Sequence, residues 1–196
     1  DMDGTLLDDQ KNFPVGLEQL LDSMEARGLT FAPASGRQIW TLINMFPGRA
    51  GMTFIGENGA IVMRDGEEIS SSPLDLETVR RCVELVRHHV RQGGFFAART
   101  DVQDGKAQDV EAAQWDGGLV VCGKKSAYIE RSDEPFLHAI VPYYARTQVV
   151  EDLIEVLDEI ERGELDDAII KLALRSAGDV KPLAERTLGS FKKSHQ

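Results

Sequence analysis

Apolar residues recur along this chain with two periods, one helical and one strand-like. Leu17, Leu20, Leu21 and Met24 fall at helical spacing and so share one face. The spacing predicts a helix over 14–27, with Pro14 in its first turn and Gly28 as its stop. Leu29 to Ala32 reads as a short buried strand. Ile39, Leu42, Ile43 and Phe46 predict a second helix over 38–46, ended by Pro47-Gly48. Another short apolar run covers 52–55. Two further runs, 60–63 and 68–69, flank Asp65-Gly66, a hairpin turn sequence. Strands alternating with helices are the rhythm of an open α/β sheet.

Ser70-Ser71-Ser72-Pro73 breaks that rhythm. Ser72 suits a cap and Pro73 a first helical position. Leu76, Val79, Val83, Val86 and Val90 predict the helix that follows, stopped by Gly93-Gly94. Segments 95–99, 119–122, 127–130 and 168–174 then read as strands, and 135–144, 149–160 and 180–191 as helices. The expected organisation is an α/β core over 1–72 and an α+β domain over 73–196.

Composition narrows the function classes. Hydrophobic residues make up 42% of 196, enough for a substantial core. The net charge of −11 disfavours nonspecific binding to nucleic acid or an anionic membrane. An acidic chain that handles an anion needs a local device, such as a bound cation. Cys82 and Cys122 fit neither a disulfide framework nor a zinc pattern, and read as buried free thiols suited to a reducing cytoplasm. No signal peptide and no run of about 18 apolar residues stands out.

The chemistry concentrates in three loops. The first is Asp1-Met2-Asp3-Gly4-Thr5. In an extended segment, residues one and three point the same way. Two carboxylates then face one spot and repel, unless a cation lies between them or one is protonated. Mg²⁺ suits carboxylates combined with a substrate phosphate. An ordinary acidic turn is the competing reading. The second loop is Ala34-Ser35-Gly36-Arg37, at a strand-to-helix junction where backbone N–H groups and the Ser35 hydroxyl can hold phosphate oxygens. The third, Gly56-Glu57-Asn58-Gly59-Ala60, follows the next strand. All three are expected at the carboxyl ends of strands, where open α/β sheets bind ligands.

With these motifs in this order, the sequence resembles the haloacid dehalogenase superfamily of phosphatases, in its Cof-like branch with an α/β (type IIB) cap. Asp1-Met2-Asp3-Gly4-Thr5 matches the first motif, Ser35-Gly36-Arg37 the second, and Glu57-Asn58-Gly59-Ala60 the branch signature. The resemblance implies a Rossmann-like parallel-sheet core with an inserted cap. It implies Asp1 as nucleophile and Asp3 as general acid/base, with Mg²⁺ on the Asp1 carboxylate and the Asp3 carbonyl. Ser35 and the Gly36 amide would hold the phosphoryl group. Arg37 and Asn58 would face substrate or cap. The substrate would be a small phosphorylated metabolite, with no nucleic-acid or membrane partner.

The family's later lysine and its Gly-Asp-x-x-x-Asp or Gly-Asp-x-x-Asn-Asp metal loop have no match here. Gly178-Asp179 is not that loop. Residues are therefore expected before Asp1 and after Gln196. Phosphomutase chemistry on the same scaffold, or a non-catalytic binding protein, are the alternatives. Asp3 should have its pKa raised by Asp1 and partial burial, with Mg²⁺ opposing. Trp115, Tyr143 and Tyr144 could stack on a substrate or simply pack. Lys171 could reach a phosphate or sugar, or sit as a solvated edge charge.

Overall fold

The computed structural model describes residues 1–91, 117–176 and 185. Helix α1 (Leu17–Glu25) buries Leu17 and Leu21 on one face. It is shorter than predicted at both ends. Gly28 takes a left-handed φ of 71° just past it, and the Leu29 N–H folds back to the Met24 carbonyl at 2.9 Å. Helix α2 (Ile39–Asn44) buries Ile39 and Leu42.

Strands β1 (Thr53–Gly56), β2 (Ile61–Arg64) and β3 (Glu67–Ser71) form an antiparallel meander. Asp65 and Gly66 join β2 to β3 with φ of 50° and 82°, the left-handed pair that suits a two-residue hairpin.

The predicted strand at 29–32 forms no ladder. Parallel pairing beside β1 is confined to the Ala34–Ile55 bridge. It is flanked by Ser35 N–H to the Ile55 carbonyl (2.9 Å) and Ile55 N–H to the Pro33 carbonyl (3.0 Å). The next rung would need an N–H from Pro33, which has none.

A second sheet has the order β6-β5-β4-β7. Its strands are β4 (Gly117–Gly123), β5 (Ala127–Ile129), β6 (Thr147–Val149) and β7 (Ile169–Ser176). Alternation along β4 serves two cores. Val121 packs with Val79 and Val83 of α3 (Leu76–Arg91) and with Leu153 and Leu157 of α5 (Leu153–Glu161). Val120 and Cys122 face Phe136 and Ile140 of α4 (Glu134–Ile140).

The two helices around the second sheet also depart from their predicted bounds. The one at 149–160 starts only at Leu153, because Asp152 caps it by accepting from the Ile154 N–H at 2.7 Å. Val149 belongs instead to β6, paired with Ile129. The one at 135–144 ends at Ile140, so Tyr143 and Tyr144 lie beyond it. The Gly93-Gly94 stop, the strand at 95–99, Trp115 and all of the helix at 180–191 except residue 185 lie outside the described residues.

A third core gathers Met2, Leu7, Leu21, Ile39, Leu42, Phe54 and Met63, and Ile170 of β7 joins it. The start of α2 is bonded to the loop after α4. Gln38, fully buried, donates to the Arg146 carbonyl and accepts from its N–H, both at 2.8 Å. Thr41 donates to the Tyr143 carbonyl at 3.0 Å, and Trp40 donates to the Lys124 carbonyl at 2.8 Å. Cys82 and Cys122 are free and buried. Among the described residues, no helix is long and apolar enough to cross a membrane.

Candidate active site

Met2 anchors the first loop. Its side chain is fully buried, and its carbonyl accepts from the N–H groups of Leu6 (3.1 Å) and Leu7 (2.9 Å). Gly4 turns the chain with a φ of 74°. With Met2 pointing inward, Asp1 and Asp3 are left toward solvent. One Asp1 carboxylate oxygen accepts from the Met2 N–H at 2.8 Å.

Asp3 is held by two cations. Arg37 donates to both its oxygens, at 2.8 and 3.1 Å, and Lys11 reaches one of them at 2.8 Å. The Arg37 hydrogen bonds, opposed by partial burial and helped by Lys11, hold the Asp3 pKa down at about 2. This reverses the expected upward shift: the neighbouring cations outweigh burial. Asp3 is a carboxylate at neutral pH in this arrangement.

Lys11 was not legible as a site residue. Asp8 brings it there, accepting from the N–H groups of Gln10 (2.9 Å) and Asn12 (2.8 Å) and closing a tight loop. Lys11 itself adopts a φ of 66° within it. The signal available in sequence was the turn-forming run Asp8-Asp9-Gln10-Lys11-Asn12 directly after the acidic motif.

Arg37 links the first loop to the second. Its backbone N–H donates to the Ser35 hydroxyl oxygen at 3.2 Å. Its guanidinium lies 5.2 Å from the centre of the Tyr143 ring and reaches the Pro142 carbonyl at 3.5 Å. Tyr143 is exposed beside the site, whereas Tyr144 is buried and packs. Ser35 is buried at the end of the Ala34–Ile55 bridge.

The third loop closes against the second. The Asn58 N–H donates to the Ser35 carbonyl at 3.1 Å, and the Glu57 N–H to the Arg37 carbonyl at 3.0 Å. A Cβ on Gly36 would meet the side-chain amide oxygen of Asn58 at 2.5 Å, so any larger residue there would push the Asn58 side chain aside. Lys171 is not a solvated edge charge: it pairs with Glu57 and donates to the Gly36 carbonyl at 2.8 Å. Asp3, Ser35, Gly36, Arg37 and Asn58 thus form one connected set. Asp1 joins it through the chain, two residues from Asp3.

The oxygens that this loop could offer a hard cation include the Asp1 carboxylate and the Asp3 carbonyl. Among the described residues, no group of three or more Asp, Glu, His or Cys side chains could hold a metal ion. Two protein oxygens still suit Mg²⁺, which keeps several waters and binds through one or two carboxylates plus substrate phosphate.

Residues 1–140 match the haloacid dehalogenase-like hydrolase family. The 5-amino-6-(5-phospho-D-ribitylamino)uracil phosphatase YbjI of Escherichia coli is 26% identical over 193 residues, which cover 96% of this chain. The chain spans 58% of that relative's length. A Streptococcus mutans structure superposes with a TM-score of 0.71 at 18% identity, covering 100% of this chain and 62% of that one. The HAD subclass IIB sugar phosphatase BT4131 does so with 0.54 at 16% identity, covering 88% and 55%. These likenesses agree with the α/β fold, and the match over most of its length shows that this chain belongs to the haloacid dehalogenase-like hydrolases.

Proposed function

We propose that this protein hydrolyses small phosphomonoesters through an aspartyl-phosphate, with Asp1 as nucleophile and Asp3 as general acid/base. One observation carries the reading: Arg37 binds the Asp3 carboxylate with its side chain and the Ser35 hydroxyl with its backbone, so the acidic loop and the Ser-Gly loop converge. Residues 1–72 then act as the core, and 73–196 as the cap domain over it.

A carboxylate is a modest nucleophile, so positioning and charge neutralisation carry the reaction. The Asp1 carboxylate and the Asp3 carbonyl would hold Mg²⁺, which would supply charge neutralisation between nucleophile and phosphate. An Asp1 oxygen attacks phosphorus, and the bond from phosphorus to the leaving oxygen breaks. Ser35 and the Gly36 N–H hold the phosphoryl oxygens. Asp3 gives its proton to the leaving alkoxide. Water then attacks phosphorus and loses a proton to Asp3, which releases phosphate and regenerates Asp1.

The resting Asp3 is ionised, so the first half-reaction requires it to take up a proton. A phosphate dianion beside Asp3 raises its pKa, and it competes for Arg37 and Lys11 at the same time. Substrate arrival therefore arms the acid. The second half-reaction uses the carboxylate form, which the two cations favour.

The substrate class we propose is a phosphorylated sugar or related metabolite, in the cytoplasm. The E. coli relative, whose name specifies a phosphorylated ribityl compound, supports this. The test is a panel of phosphate esters with Mg²⁺, assayed for inorganic phosphate. Release that needs Mg²⁺ and Asp1 is expected. An isomeric ester with no free phosphate would replace hydrolysis with mutase chemistry, and no reaction or Mg²⁺-independent release would overturn the mechanism.

A further inference from the structure

The carbonyls of Ser35, Gly36 and Arg37 are consecutive, and each accepts a hydrogen bond from outside the loop. Asn58 N–H takes Ser35 (3.1 Å), the Lys171 ammonium takes Gly36 (2.8 Å) and Glu57 N–H takes Arg37 (3.0 Å). In a trans peptide the carbonyl and the following N–H point oppositely. Fixing these carbonyls on one side turns the N–H groups of Gly36 and Arg37 to the other. The Arg37 N–H indeed meets the Ser35 hydroxyl at 3.2 Å. The bond from Lys171 to the Gly36 carbonyl sets the peptide that carries that N–H.

Lys171 comes from β7, paired with β4 at Cys122 and 135 residues from Gly36. Its side chain is only 14% exposed and lies 5.2 Å from the centre of the buried Tyr144 ring. Glu57 is its counter-charge, wholly buried, and among the described residues its carboxylate oxygens have no hydrogen-bond partner beyond the Lys171 ion pair. Glu57 and Asn58 sit at φ of 52° and 58°, a costly conformation for residues with a Cβ. That backbone delivers both N–H groups to the loop and the Glu57 carboxylate to Lys171. The arrangement is built around holding the loop.

We infer that Lys171 is a positioning residue for the phosphate-binding loop, acting through the Gly36 carbonyl, with Glu57 fixing it in place. The inference rests on the reading of Ser35 and Gly36 as phosphate-holding. It makes the anion site depend on a residue from the second sheet, so that site is complete only while β7 is docked.

The test is orthovanadate binding in the presence of Mg²⁺, with thermal melting followed in parallel, for the parent chain, S35A, K171M, K171R and the charge-neutral pair E57Q/K171M. Expected is an affinity loss of about tenfold or more in S35A, K171M and E57Q/K171M. The double variant should melt near the parent, since no buried charge is left unpaired. K171R, which keeps a cationic donor, should lose less than K171M. Parental affinity in K171M or in the double variant, or an equal loss in K171R and K171M, overturns the inference while S35A still binds poorly. A parent that binds no vanadate, or an unaffected S35A, overturns the phosphate-site reading itself.

Discussion

Asp3 and Glu57 are both carboxylates paired with lysine, yet their surroundings drive them in opposite directions. Asp3 is one-third exposed and shares Arg37 and Lys11, and its pKa is held down at about 2. Glu57 is fully buried with Lys171, and its pKa is raised because burial outweighs the pull of the lysine. The same ingredients give an exchangeable clamp at the rim, where we place the acid/base, and a strut inside. A partly exposed clamp can exchange its cations with an incoming anion. A buried pair is costly to separate, so it holds position.

The working side breaks most completely at Asp1. Asp1→Asn is nearly isosteric and removes the proposed nucleophile, so turnover should fall by more than about a thousandfold, or roughly 4 kcal/mol of barrier, with folding intact. Activity within about tenfold of the parent would exclude Asp1 as the attacking group. Asp3→Asn should slow both half-reactions, and more for esters with poor leaving groups. Equal slowing of good and poor leaving groups would count against Asp3 as the acid.

On the strut side, Glu57→Ala leaves the largely buried Lys171 without its counter-charge. A loss of about 3 kcal/mol in unfolding free energy is expected by chemical denaturation. A loss under about 1 kcal/mol would show that Lys171 finds another partner or water, and that Glu57 is no strut.

The residues of the proposed working side stand out in sequence because their motifs are local. Asp1, Asp3, Ser35, Gly36, Arg37 and Asn58 sit in three short motifs, each at a predicted strand end. What joins them was not readable. The alternation of Asp1 and Asp3 predicted mutual repulsion, but the clamp on Asp3 comes from Arg37, 34 residues away, and from a loop that turns Lys11 back. The strut was hidden more deeply. Lys171 reads as an ordinary charge in a strand, and only the docking of β7 brings it to Gly36. The strand at 29–32 failed for a local reason, since Pro33 cannot supply the next rung. The α5 start was misplaced because apolar spacing runs through Val149 and Val150, whereas the Asp152 cap decides the boundary.

The finest test separates the two cations of the clamp. Arg37 is the largest cause of the low Asp3 pKa, is only 10% exposed and contacts both carboxylate oxygens. Lys11 is half exposed and touches one oxygen, so solvent and salt weaken it. A lowered folded-state pKa stabilises the fold above the unfolded carboxylate value, near 3.9, and that contribution is lost as pH falls toward about 2. Removing either cation should therefore raise the Asp3 pKa and move the acid-side loss of this stability to higher pH. Arg37→Met should move it further than Lys11→Met, and added salt should shrink the Lys11 effect more than the Arg37 effect. NMR titration of the Asp3 carboxyl carbon in the two variants, at low and high ionic strength, reads this directly. A larger shift in Lys11→Met would mean that the flexible lysine, not the bidentate arginine, sets the charge state of the proposed acid/base.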